Sequence, residues 1–356
     1  MTIKSELIIN GRRISIDSPP YIIAELSANH NGNLENALRI IKEAKLAGAD
    51  AIKLQTYRPD TITINCDTED FCIEGGLWGG KTLYQLYEEA HMPWEWHEPL
   101  FNYARELGIT IFSSPFDTTA VDLLESLNAP AYKIASFEAI DLPLIKYVAR
   151  TGKPMIISTG LANAQEIEEA INAAREGGCK ELAILHCVSG YPAPAADYNL
   201  RTIPDMLQRF GVVTGLSDHT IDNITAITSV ALGASIIEKH VTLNRSGGGP
   251  DDSFSLEPNE LKALCRDSKI AWEALGKVDY GCKPSEQPNI KFRRSLYIVK
   301  SVKSGEVFTQ NNIKSIRPGY GMGPKFYEKI LGKKALRDIP EGTPLKKEFI
   351  ENFNLD

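Results

Sequence analysis

Two histidines, His219 and His240, close the apolar runs VVTGLSDH and ASIIEKH, and each stands two residues beyond another polar side chain, Ser217 or Glu238. Residues two apart on a strand share a face, so each histidine would project to one side together with that neighbour. Two imidazoles at the ends of adjacent strands can hold one divalent metal and leave positions open for water and substrate. Either histidine alone would read as a hydrogen-bonded core residue; the pair favours metal. Ligand type does not rank Mn²⁺, Mg²⁺ or Zn²⁺.

Lys53 in AIKLQT and Lys133 in AYKIAS lie in runs that should turn them inward, where an unpaired ammonium is costly unless an anion or a carboxylate meets it. Ser114, Ser136, Ser158, Ser189 and Ser217 end or follow similar runs. Two lysines, several hydroxyls and no arginine describe a pocket for a small phosphorylated or carboxylated anion. The competing reading pairs the lysines with Glu25 or Glu138. Those two carboxylates, with Asp251, could also hydrogen-bond sugar hydroxyls or move protons. Asp251 lies in the glycine-rich stretch RSGGGPDDSFSLEP, read either as a loop that folds over substrate or as a flexible connector. His186 is read as a satisfied supporting residue.

The elements that must position these groups are eight short β-rich runs, each followed by enough chain for a helix. That is the requirement of a (β/α)8 TIM barrel, whose chemistry sits at the C-terminal strand ends. A hairpin turning at Asn10–Gly11 in residues 1–18 should plug the other end. Leu34, Leu38, Ile41 and Ala44 carry helical spacing within residues 33–48, and Gly177–Gly178 should end the helix after the fifth barrel strand. The longest connection, 56–108, is rich in aromatics, and Trp78, Trp94 and Trp96 are candidate pocket walls. Residues 257–276 read as the closing helix. The boundaries expected are a barrel domain over 1–276, a linker over 277–290 and a small β-rich module over 291–356.

The chain has 356 residues, 43% of them hydrophobic, enough for a barrel of about 250 residues and a second small unit. A net charge of −7 argues against nucleic acid as a partner. Residues 291–356 hold 14 Lys+Arg against 7 Asp+Glu, a balance of +7 that leaves −14 for the rest. Six cysteines without a CxxC spacing fit reduced thiols in a cytoplasm. No run approaches the ~20 apolar residues of a membrane span, and a membrane partner is not expected.

In order along the chain, AELSANHNG, IKLQT, AYKIAS, ISTG, LHCVSGYP, GLSDHT, EKH and GGPD resemble the sialic acid synthase family, and Arg294 through IRPGYG to GKKALRDIPEGTPL resembles its antifreeze-like (SAF) domain. LWGGKTLYQLYEEAHMPWEWHE and GGPDDSFSLEP resemble the family's pseudaminic acid branch. The resemblance implies a transferase that condenses phosphoenolpyruvate with an open-chain amino-sugar aldehyde and releases phosphate by C–O cleavage. It carries metal binding onto His219 and His240, with Mn²⁺ favoured and Mg²⁺ or Co²⁺ possible. It carries phosphoenolpyruvate contacts onto Lys53, Ser114, Lys133, Ser136, Ser158 and Ser217, and sugar or metal-water contacts onto Glu25, Glu138, Tyr191 and Asp251. Ser189 stands where family members that make sialic acid have asparagine, which leaves its phosphate contact open. Arg317, in IRPGYG, matches an arginine placed over the partner's barrel, implying a domain-swapped homodimer. The residues alone leave a Schiff-base aldolase built on Lys133 and a non-enzymatic sugar-binding protein as rivals.

Overall fold

The computed structural model describes residues 5–354; the first four and last two residues lie outside the description, including the start of the stretch assigned to the hairpin. The chain forms two compact units that meet at Gly276–Lys277. Strands β1 (Leu7–Ile9) and β2 (Arg12–Ile14) pair antiparallel around Asn10 and Gly11, both at positive φ (48° and 79°), the backbone that a two-residue hairpin turn requires.

Eight parallel strands then close a barrel: β3 (Tyr21–Glu25), β4 (Ala51–Thr56), β5 (Thr110–Pro115), β6 (Tyr132–Ile134), β7 (Met155–Ser158), β8 (Leu182–Cys187), β9 (Val213–Asp218) and β10 (Ile236–His240). Alternation sorts each strand into two faces. Tyr21, Ile23, Phe112, Ile156, Leu185 and Ile236 form the interior cluster together with Leu7, Ile9 and Ile14, so the hairpin does pack into the barrel's N-terminal end. The opposite face, with Ile22, Ile52, Ile111, Ile157, Ile184 and Ile237, packs on the helical shell. Each fully buried aliphatic side chain contributes about 1.5–3 kcal/mol, so a one-residue slip of any strand is strongly disfavoured. Polar residues at interior parity near the C-terminal ends are thereby forced into a common space.

The helix expected over 33–48 runs Leu34–Ala47, with the Asn33 side chain accepting from Glu35 N and Gly48 closing it at φ 93°. Gly177 and Gly178 follow the helix Ala164–Glu176, and Glu257 and Gly276 bracket the closing helix Pro258–Leu275. The second unit pairs β11 (Ser295–Ile298) with β12 (Ile313–Ile316) over a core that includes Leu296, Phe308, Ile330 and Leu345, an irregular β-rich module as expected. The stretch read as a linker is partly ordered, because Pro284–Phe292 forms a 3₁₀ helix. Among the described residues no helix is long and apolar enough to cross a membrane.

Candidate active site

Continuing the interior parity of each strand by one step brings Glu25, Lys53, Ser114, Lys133, Ser158, Ser217 and Glu238 together. Lys53 Nζ lies 2.6 Å from Glu25 Oε2, 3.4 Å from Glu238 Oε1 and 3.3 Å from Ser114 Oγ. Lys133 Nζ donates to Ser158 Oγ at 2.6 Å and to Ile134 O at 3.3 Å, with Glu238 Oε1 at 3.6 Å. Ser217 Oγ donates to that same carboxylate oxygen at 3.1 Å. The lysines are therefore ion-paired, as the competing reading expected, with the serine hydroxyls gathered around them. The carboxylates involved are Glu25 and Glu238; Glu138 is not the lysines' salt-bridge partner. Burial pushes the Lys53 ammonium down to about 8 despite Glu238.

Ser136 sits on the 3₁₀ turn Ser136–Glu138 just beyond β6, and its Oγ accepts from Gly160 N at 3.2 Å. A Cβ on Gly160 would meet Ser189 Oγ at 2.2 Å and Ser136 Oγ at 2.8 Å, so only glycine lets the backbone pass between the two hydroxyls. Ser189 Oγ is buried without a hydrogen-bond partner. Lys133, Ser136, Ser158 and Ser189 thus line one side of the barrel mouth. Such donors suit a phosphate.

His219, one residue past β9, has Nδ1 2.8 Å from Val188 O, which fixes Nδ1 as a donor and makes Nε2 the nitrogen that can carry a lone pair; against burial, Cys187 and Val188 O hold the ring above the usual imidazole range. His240 Nδ1 is buried without a hydrogen-bond partner and lies 3.9 Å from Asp251 Oδ2. Burial first, then the nearby His219 and the buried lysines, holds His240 well below the usual imidazole range, so it is neutral. The ring centroids are 5.4 Å apart. Among the described residues no group of three or more His, Cys, Asp or Glu side chains is arranged to hold a metal ion.

Above the two histidines opens a cleft of about 290 Å³. Tyr191, Ser136, Glu138, His240 and Asp251 line part of it, and Tyr191 packs on His219 at 4.4 Å between centroids. Ser27 Oγ donates to Asp251 Oδ2 at 2.5 Å, and Gln55 Nε2 donates to Ser27 Oγ at 2.9 Å and to Glu25 Oε1 at 3.2 Å. Burial raises the Asp251 carboxyl above its ordinary value and pushes Glu138 up to about 7. The glycine-rich stretch around Asp251 is anchored rather than loose. Asp252 is fully buried and accepts from Thr242 Oγ1, Asn31 Nδ2 and Gly249 N, at 2.5, 2.9 and 2.8 Å.

The NeuB family model matches residues 40–280, about two-thirds of the chain, and the SAF domain model matches residues 293–351. The chain belongs to the NeuB family. It is 46% identical to the pseudaminic acid synthase of Helicobacter pylori over 94% of its own length and 98% of that protein's. It is 37% identical to an N,N'-diacetyllegionaminic acid synthase of Campylobacter jejuni, covering 92% and 98%. The crystal structure of the spore coat polysaccharide biosynthesis protein SpsE from Bacillus subtilis superposes with a TM-score of 0.67 at 34% identity, covering 98% of this chain and all of that one.

In this NeuB-family chain the expected site residues of the barrel gather at one mouth, while Arg317 lies exposed in the second unit, after β12. The candidate wall tryptophans do not all reach the cleft. Of the candidate wall tryptophans only Trp78 lines the cleft, its Nε1 donating to Pro250 O at 2.9 Å. Trp94 instead carries the Arg58 guanidinium over its ring at 4.5 Å, and Trp96 packs on the core edge-on to His30. His186 is the satisfied supporting residue expected: it takes the outward parity and bonds Tyr198 O, behind the barrel wall. Thr159 likewise bonds Leu185 O at 3.0 Å. Residue type alone overlooked Ser27, Gly160 and Cys187. Cys187 holds interior parity at the end of β8, 4.0 Å from His219 Nδ1, and the two-residue alternation from Ala183 and Leu185 would have found it.

Proposed function

We propose that this chain is a pseudaminic acid synthase, condensing phosphoenolpyruvate with 2,4-diacetamido-2,4,6-trideoxy-L-altrose and water to give pseudaminic acid and phosphate. The observation that carries the branch is the 46% identity to pseudaminic acid synthases along nearly the whole of both chains. The site supports the chemistry. Carbon 3 of the enolpyruvate bonds to the aldehyde carbon, water oxygen adds to carbon 2, and the bond from carbon 2 to the phosphate oxygen breaks.

Lys53, Lys133, Ser114 and Ser217 would receive the enolpyruvate, with Ser136, Ser158, Ser189 and Gly160 N on the phosphate. Glu25 holds Lys53 in register. Asp251, beside His240 and with its carboxyl raised by burial, would carry the proton to and from the aldehyde oxygen, while Glu138 and Tyr191 contact the sugar. A divalent cation fits the two imidazoles, His240 neutral and His219 with Nε2 free of protein partners once deprotonated, and Mn²⁺ is favoured over Mg²⁺ or Co²⁺. When bound, the chemistry it supplies is polarisation of the aldehyde carbonyl. Charge count supports it. Lys53 and Lys133 are already offset by Glu25 and Glu238, so a trianionic substrate needs further positive charge.

The +7 balance of residues 291–356 against the acidic remainder supports a homodimer in which Arg317 caps the partner's barrel. Mixing an Arg317→Ala chain with a His240→Ala chain should then restore activity that neither has alone. The direct test of the reaction is phosphate release from phosphoenolpyruvate with Mn²⁺, using the altrose sugar, its mannose-type isomer and N-acetylmannosamine, with and without EDTA. Release with the altrose sugar, abolished by EDTA, is expected. Release only with another sugar would move the branch, and none with any would sink the synthase assignment.

A further inference from the structure

The cleft above the histidines is lined by two chemically different sets of residues. One set is polar, Ser27, Gln55, His240 and Asp251; the other is largely apolar, Tyr57, Ile62, Leu86, Ala90 and Phe116, with Tyr87 in ring contact with Tyr57. Ile62, Leu86, Tyr87 and Ala90 come from the long 56–108 connection. The apolar wall is held by edge-on ring contacts, with Tyr57 centred 5.1 Å from Phe116 and 5.6 Å from Tyr87. Tyr57 is 3% exposed and Leu86 is 7% exposed, so neither has room to swing away. Also lining the cleft is Glu138, whose Oε2 is buried without a hydrogen-bond partner.

A sugar hydroxyl pressed on Ile62, Leu86 and Phe116 would lose its water without gaining a partner. A methyl group there is favourable, and a carboxylate oxygen left unbonded calls for an N–H. An acetamido group offers both, a terminal methyl and an amide N–H two bonds behind it.

Resting on the synthase reading above, we infer that these apolar residues together with Glu138 form the subsite for the acceptor's acetamido group remote from the aldehyde. The methyl lies against Ile62, Leu86 and Phe116, and the N–H donates to Glu138. Recognition of diacetamido sugars over sugars with a hydroxyl at that carbon then depends on Ile62 and Leu86 of the 56–108 connection acting with Phe116 and Glu138.

The test compares Leu86→Asn and the half-buried Ile62→Asn with wild type, using 2,4-diacetamido-trideoxy altrose, its mannose-type isomer and N-acetylmannosamine, the last measured as competitor if it is not turned over. Introducing a polar group should raise KM or Ki about tenfold for both diacetamido sugars. It should change N-acetylmannosamine by less than about twofold and leave the phosphoenolpyruvate KM unmoved. Equal losses for all three sugars, or no change in either variant, would overturn the subsite. Should Leu86→Asn not fold, Ile62→Asn decides alone. Wild type that turns over neither diacetamido sugar would instead overturn the parent synthase reading, which keeps the two failures distinct.

Discussion

Lys133 and Lys239 are each 2% exposed, stand on strands of the same barrel, and are held in opposite ways. Lys239, at outward parity on β10, meets Asp218 Oδ2 at 2.8 Å and the carbonyls of Thr220 and Asp222 at 2.6 and 2.7 Å. Lys133, at inward parity on β6, has one short bond to a neutral hydroxyl, one carbonyl at 3.3 Å and its nearest carboxylate at 3.6 Å. A buried ammonium with every donor matched is a structural clamp. One with slack in its bonding is available to a ligand, and the difference separates architecture from chemistry among groups that burial alone would not tell apart.

Removing each lysine should sharpen that contrast. Lys133→Met is expected to lower kcat/KM by about a thousandfold, a loss near 4 kcal/mol, with a melting temperature closer to wild type than that of Lys239→Met, because Glu238 keeps Lys53 and Ser217. Lys239→Met strands the buried Asp218 carboxylate and should cost about 3–5 kcal/mol in a urea titration. If the two variants lost stability equally and activity equally, the distinction between clamp and ligand group would fail.

Two inward-side groups should also shape the pH profile. Glu138 is pushed up to about 7, mainly by burial, against Lys133 and Lys53 and with Asp141 adding to the rise, so it is protonated below that pH and ionised above it. Lys53 is pushed down to about 8, by burial and by Lys133 against Glu238, so its positive charge is lost above that pH. The carboxylate accepts the sugar's N–H and the ammonium receives the anion. The profile of kcat/KM for the sugar should therefore rise through about 7 and fall through about 8. Glu138→Gln should abolish the acid limb and keep the alkaline one; an unchanged acid limb would show that another group titrates there. The smallest effect belongs to the outward side. Thr220→Val removes a hydroxyl that donates to Asp218 Oδ2 at 3.1 Å and should cost about 1 kcal/mol in stability, with kinetic constants unchanged.

Much of this was legible before any coordinates. The apolar runs, the caps at Asn33, Gly48 and Gly276, and the two-residue alternation specify eight strands and the face each residue takes, since propensity, capping and side-chain parity are local properties. From parity alone it follows that Lys53, Ser114, Lys133, Ser158, Ser217 and Glu238 point into the barrel, as His240 does into the cleft. Parity carries no information about distance across the barrel. Only closure decided that Glu238 lies between the two lysines, that Gly160 threads between Ser136 and Ser189, and that His219 is held by Val188 O. The long connection is the clearest case. Its aromatic composition pointed to pocket walls, yet Trp94 and Trp96 turn to Arg58 and His30 while Trp78, Leu86 and Tyr87 reach the cleft. A loop without a strand's period leaves the direction of each side chain to whatever surface the tertiary fold presents to it.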